Sequence, residues 1–142
     1  MKKSVSRWAL PAVLVLGLLL FASCIGGTAS TPPDFYDAGA ANLSVTGAQF
    51  DQYTLFRFDT SAAPRSLALP SAADIVNNLS SPYAGEVLIL GVAATGANPV
   101  TLIAGTNVTV EPNAATVPAN TTLTMYAVLN SITSGSEAVT IY

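Results

Sequence analysis

No histidine occurs anywhere in the 142 residues, cysteine occurs once, and lysine is absent after position 3. Each absence removes a chemistry. Without histidine and with a single thiol, Ser-His-Asp and Cys-His arrangements and histidine-based metal sites are excluded. Without a lysine in the body of the chain, a serine–lysine pair is excluded as well. Charge is scarce: Asp, Glu, Lys and Arg make up 9% of the sequence, against roughly a quarter in ordinary globular proteins. The net charge is −3, and setting aside Lys2, Lys3 and Arg7 leaves −6, from eight acids against Arg57 and Arg65. Such a surface does not hold nucleic acid, whose phosphates require clustered cations, and it is not drawn to anionic lipid headgroups. Surface polarity must come from Ser, Thr and Asn, which suits an extracellular β-rich module or a packed assembly better than a cytosolic enzyme. Glycine-rich phosphate loops and a D-x-D-x-D-G calcium run are also missing. No cofactor and no metal site is expected.

What is present begins at the N-terminus. Lys2, Lys3 and Arg7 precede an apolar run from Trp8 to Phe21, followed by the small residues Ala22 and Ser23 and then Cys24. The order of cations, apolar stretch and small residues is that of a secretory signal. The run is too short for a spanning helix, which needs roughly 20 apolar residues, and Pro11 disfavours a long helix within it. An ordinary cleaved signal and an uncleaved anchor remain open on these residues alone. Phe21-Ala22-Ser23-Cys24, however, resembles the lipobox of bacterial lipoproteins. The resemblance implies that Cys24 is the lipidation site, that residues 1–23 are removed as a signal peptide, and that acyl chains tie the protein to a membrane. It also accounts for the unpaired thiol, otherwise a liability in an exported protein. Ile25, in place of the aspartate linked to inner-membrane retention, favours the outer membrane or cell surface of the envelope. The lipidated N-terminus and a flexible tether are expected over 24–39, because Ile25 to Gly39 is rich in Gly, Ser, Thr and Pro and has no period. Packing of Phe35 and Tyr36 on the base of the domain would end the tether earlier. Fully extended, fifteen residues reach roughly 50 Å.

From residue 40 to 142 the pattern is mainly period two, and a single all-β domain is expected. Ala41–Val45, Gln49–Asp59, Ser66–Leu69, Glu86–Ala94, Val100–Ile103, Val108–Val110, Thr121–Leu129 and Glu137–Tyr142 read as strands. Glu86–Ala94 is apolar on both sides, as a central, doubly covered strand would be. Thr121–Leu129 places Leu123, Met125, Ala127 and Leu129 on one face. The one helix signal is Ser71 as N-cap with Asp74 three residues on, followed by Ile75, Val76 and Leu79 and stopped by Pro82. Short, regularly spaced strands with turn residues between them argue for an antiparallel β-sandwich, jelly-roll-like, with one short helix.

Three stretches carry a second resemblance: Leu67-Ala68-Leu69-Pro70-Ser71-Ala72-Ala73-Asp74-Ile75, Gly105-Thr106-Asn107-Val108-Thr109-Val110, and Thr133 to the terminal Tyr142. Together they resemble a domain of phage and phage-like structural proteins, including fibre and decoration subunits. That resemblance implies a β fold of non-enzymatic, assembly-prone character, and it carries over no functional residues.

The remaining candidates have plain structural readings. Asp51, Asp59, Asp74, Glu86, Glu111 and Glu137 are scattered beside turns and are expected to solvate strand ends, not to form a glycosidase pair. Asp34 and Asp37 read as a solvated linker. Tyr53, Tyr83, Tyr126 and Tyr142 are read as core or interface side chains, with a carbohydrate platform as the lesser reading. Arg57 should project opposite Phe56 and Phe58 and pair with an acid. Asn42, Asn78, Asn107 and Asn120 begin Asn-x-Ser/Thr triplets, read as strand edges. The expected function is therefore non-enzymatic: a surface lipoprotein with a structural or interaction β domain that forms homo-oligomers through low-charge faces or its terminal strand. The alternatives are a subunit of a cell-surface filament or phage-derived fibre, with Asp34–Val45 donated between copies, and a carbohydrate-binding module. The partner, protein or glycan, is not named by the sequence.

Overall fold

The chain winds back and forth between two sheets. The computed structural model describes residues 34–142; the signal peptide, Cys24 and the tether up to residue 33 lie outside the described residues. Ten strands follow one another: β1 (Phe35–Gly39), β2 (Leu43–Ser44), β3 (Leu55–Phe58), β4 (Arg65–Ala68), β5 (Val87–Ala94), β6 (Val100–Ile103), β7 (Val108–Val110), β8 (Thr116–Val117), β9 (Thr121–Ser131) and β10 (Ala138–Ile141). Helix α1 (Gly47–Gln52) lies between β2 and β3, and α2 (Ala72–Asn78) between β4 and β5. The larger sheet has the order β1-β3-β5-β9-β10-β7 and the smaller β2-β4-β6-β8. The fold is thus mainly β, as the alternation indicates.

The pairing departs from the antiparallel expectation. Five of the eight strand pairs are parallel (β1/β3, β3/β5, β2/β4, β4/β6 and β7/β10) and three are antiparallel. The cause is the winding. From β1 to β6 each strand of the large sheet is followed by one of the small sheet, so sheet neighbours are separated by a full excursion and return in the same direction. The direction reverses later in the chain: β8 runs antiparallel to β6, β9 antiparallel to β5, and β10 turns back along β9.

A second helix replaces the first half of the expected Gln49–Asp59 strand. Thr46 Oγ1 accepts from the Gln49 amide at 3.3 Å, and Gln49 Oε1 accepts from the Thr46 amide at 3.0 Å. This reciprocal capping box starts α1. Ser71 caps α2 as the sequence suggests, accepting from the Asp74 amide at 3.1 Å. Asp74 does not reach back to Ser71. Its Oδ2 instead accepts from the Gly47 amide at 2.7 Å, so α2 supplies a cap to α1. The helices pack so closely there that a Cβ on Gly47 would lie 2.2 Å from the Asp74 carbonyl oxygen.

The expected boundary at residue 40 also shifts. Phe35–Gly39, assigned to the tether, is the edge strand β1. Tyr36 holds it down, with its ring 5.4 Å from Tyr53 and 6.1 Å from Phe56 between centroids. Asp34–Val45 is accordingly taken up by its own chain, in β1 and β2. The stretch between Pro112 and Pro118 contains the two-residue edge strand β8.

One buried cluster draws on both sheets and on both helices. Phe56, Phe58, Leu90, Val92, Met125, Ala127, Leu129, Val139 and Ile141 come from the large sheet, Leu67, Val100, Leu102 and Val117 from the small one. Phe50 of α1 and Ala72, Ile75 and Val76 of α2 join it. Alternation along β9 works as expected: Met125, Ala127 and Leu129 are buried, whereas Thr124 and Tyr126 are exposed.

Candidate interaction face

The outer face of the large sheet can be read row by row across the strands. Phe35, Leu55, Gly91 and Thr124 form one row, and Ile89, Tyr126 and Tyr142 the next. Val87, Val128, Thr140 and Thr109 form a third. Tyr142 joins its row beyond the end of β10 through two backbone hydrogen bonds with Tyr126, at 3.1 and 3.3 Å. No charged residue stands within the strands along these three rows; Glu111, just past β7, donates its amide to the Ile141 carbonyl at 2.8 Å and comes beside Tyr142 at one end of the second row.

Several of these side chains are open to solvent. Val87 is 53% exposed, Ile89 58%, Tyr126 52% and Tyr142 50%. Large side chains carry roughly 150–250 Å² each, so the four present roughly 400 Å² of contiguous, mainly apolar surface. That is as large as the largest patch on a typical monomer, a size often found to be functional. Glu86–Ala94 is therefore central in its sheet but not covered on both sides along its whole length. Its second half is sheltered on the outer side, where the Leu55 side chain reaches across Gly91. The first half is not.

Charge returns in the fourth row, at one corner of the face. Asp37, Arg57, Ala93 and Thr122 occupy it. Arg57 projects away from Phe56 and Phe58 and donates to Asp37 Oδ2, with its guanidinium 5.4 Å from the Phe35 ring centre. That hydrogen bond, followed by one from the Gly39 amide at 3.0 Å, holds the Asp37 carboxyl below the usual carboxylate range. Asp59 is lowered too, mainly by the Ser61 amide that donates to it at 2.9 Å. Asp37, Gly39, Arg57, Asp59, Ser61 and Thr95 line a shallow polar cleft, where the turns after β1, β3 and β5 stack. Both carboxylates are engaged by donors of the protein.

Two of the other acids accept hydrogen bonds within turns. Glu86 accepts from the Tyr83 amide at 3.3 Å and Glu137 from the Gly135 amide at 3.0 Å. Among the described residues no three His, Cys, Asp or Glu side chains come close enough to hold a metal ion, and no helix is long and apolar enough to cross a membrane. The tyrosines divide. Tyr53 packs edge-on against Tyr36 and Phe56, whereas Tyr83, Tyr126 and Tyr142 stay at least half exposed. Asn107 and Asn120 sit at turns with φ of 60° and 54°, a conformation asparagine tolerates.

The sheet edges are poor templates. β2 and β8 have two residues each and β7 three. β1 has five, but it bulges between Asp37 and Gly39 and carries the Asp37 charge, both devices that blunt an edge. The terminal strand β10, expected as a route to self-association, lies between β9 and β7 and has no free edge. Comparison with protein-family models, curated proteins and solved structures gives no match.

Proposed function

We propose that this chain is a lipid-anchored protein of the cell envelope whose β domain, its two sheets stacked as a sandwich, works by non-enzymatic contact with another protein surface. The observation that carries the reading is the outer face of the large sheet: three adjoining rows whose strand residues carry no charge, with Val87, Ile89, Tyr126 and Tyr142 open to solvent. A chain this acidic has little else that could hold a partner, since its two body cations are both near carboxylates. The Phe21-Ala22-Ser23-Cys24 lipobox likeness supports the anchor, and the likeness to phage fibre and decoration subunits fits an assembly role. A filament built by strand exchange would need Asp34–Val45 to leave the two sheets that hold it.

The anchor has its own test. Substituting Cys24→Ser should move the protein from the membrane fraction to the aqueous phase in a detergent partition of host cells, and should abolish incorporation of labelled fatty acid. Unchanged partition together with unchanged labelling would remove the lipid anchor from the proposal.

A further inference from the structure

The occupant of the outer face can be argued one step beyond the reading just given, on which it rests. We infer that the face is covered by a second copy of this chain, packed sheet on sheet about a two-fold axis near Thr124 and Tyr126. Three observations converge on this arrangement.

The first is area. The strands of the large sheet have 5, 4, 8, 11, 4 and 3 residues in sheet order, which at about 3.3 Å per residue and about 4.8 Å per strand make a face of roughly 550 Å². Two such faces bury roughly 1,100 Å² in total, the size of the smaller, reversible class of specific interface. The second is charge. Each copy carries −6 beyond the N-terminal cations, so two copies repel over most of their surfaces. The rows through Phe35, Ile89 and Val87 are where that repulsion is weakest. The same acidity disfavours an anionic membrane surface as the occupant. The third is self-complementarity. A two-fold contact needs one patch to fit itself, and this face sets bulk beside small residues: the row of Ile89, Tyr126 and Tyr142 adjoins the row that holds Gly91 and Thr124. Tyrosine is also the kind of side chain that anchors interfaces, with an apolar body and a polar tip. With the edges blunted and β10 internal, face packing is the route the fold leaves open.

Single cysteines at exposed threonines provide the test, in the full chain extracted from membranes in mild detergent. Thr124 lies on the outer face of the large sheet, and Thr101 is an exposed residue of β6 in the small sheet. A short bismaleimide should join Thr124→Cys chains into a dimer containing only this protein, above the level given by the wild-type chain with its Cys24. Thr101→Cys should remain at the wild-type level. Adding Ile89→Asp to Thr124→Cys should lower the dimer yield at least tenfold, and because Ile89 is exposed the variant should keep the wild-type thermal transition. Equal cross-linking at Thr101, or a yield insensitive to Ile89→Asp, would overturn the two-fold face packing. Cross-linking of Thr124→Cys to a different protein would overturn the second copy while sparing the interaction reading. No cross-linked species of any kind would count against both.

Discussion

Replacing Phe56 by alanine is expected to remove a large share of the stability of the domain. Phe56 is fully buried, and truncating a buried phenylalanine costs about 3–5 kcal/mol through lost transfer energy and the cavity left behind. The ring also lies 6.1 Å from Tyr36 and 6.3 Å from Tyr53, contacts that hold β1 and the end of α1 on the sheet. Against the 5–15 kcal/mol typical of a whole domain, the loss is severe. The thermal midpoint should fall by about 15 °C at roughly 4 °C per kcal/mol for a domain of this size. Leu55→Ala, one residue earlier and on the opposite side of β3, should cost much less, because Leu55 is only partly buried. Equal losses for the two variants would mean that the assignment of faces on β3 is wrong.

Gly105→Ala is expected to be nearly as damaging, for a different reason. Gly105 lies where the chain leaves β6 and passes over the end of the β4 segment on its way to β7. A Cβ there would stand 2.1 Å from the Pro70 carbonyl oxygen, 2.6 Å from its carbonyl carbon and 2.7 Å from the Leu69 oxygen. All three are backbone atoms, so no side chain can turn aside, and two crossing segments must separate. Overpacking usually costs about 1–3 kcal/mol, and a clash with backbone belongs at the upper end. Separation of the segments would also disturb the hydrogen bond from the Ala72 amide to the Thr106 carbonyl at 2.9 Å, which ties α2 to this crossing. Chemical denaturation of Gly105→Ala beside Gly135→Ala checks the argument. Gly135 has φ of 80° but nothing within 4 Å of the added methyl, so its cost is that of backbone strain alone, about 1–2 kcal/mol. A larger loss at Gly135 than at Gly105 would contradict the close crossing.

Much of the fold is written in the period of the sequence, and what is missing follows from what a period can say. Thr121–Leu129 states which side chains are inside, and Met125, Ala127 and Leu129 are indeed buried. Alternation does not say which strand lies alongside or in which direction it runs, so the parallel winding of β1 to β6 was not legible. Helix α1 spans six residues, too few for a helical period to stand out; its signal was the Thr46…Gln49 capping box. β1 was hidden because Phe35–Gly39 follows a Gly- and Pro-rich stretch, and its place depends on Tyr36 meeting Tyr53 and Phe56. β8 is two residues between two prolines. The interaction face was half legible. Scarcity of charge pointed to low-charge faces, and the ion pair of Arg57 was foreseeable from its position between Phe56 and Phe58. The run Glu86–Ala94 reads as buried on both sides. Only the cross-strand register shows Leu55 sheltering Gly91 while Val87 and Ile89 stand uncovered.

The most direct test of this account is the molar mass of the chain from residue 25 onward, lacking lipid, by light scattering across a concentration series. Two-fold face packing gives twice the single-chain mass for the native sequence and the single-chain mass for Ile89→Asp, with unchanged circular dichroism. The single-chain mass for both at every concentration would contradict it.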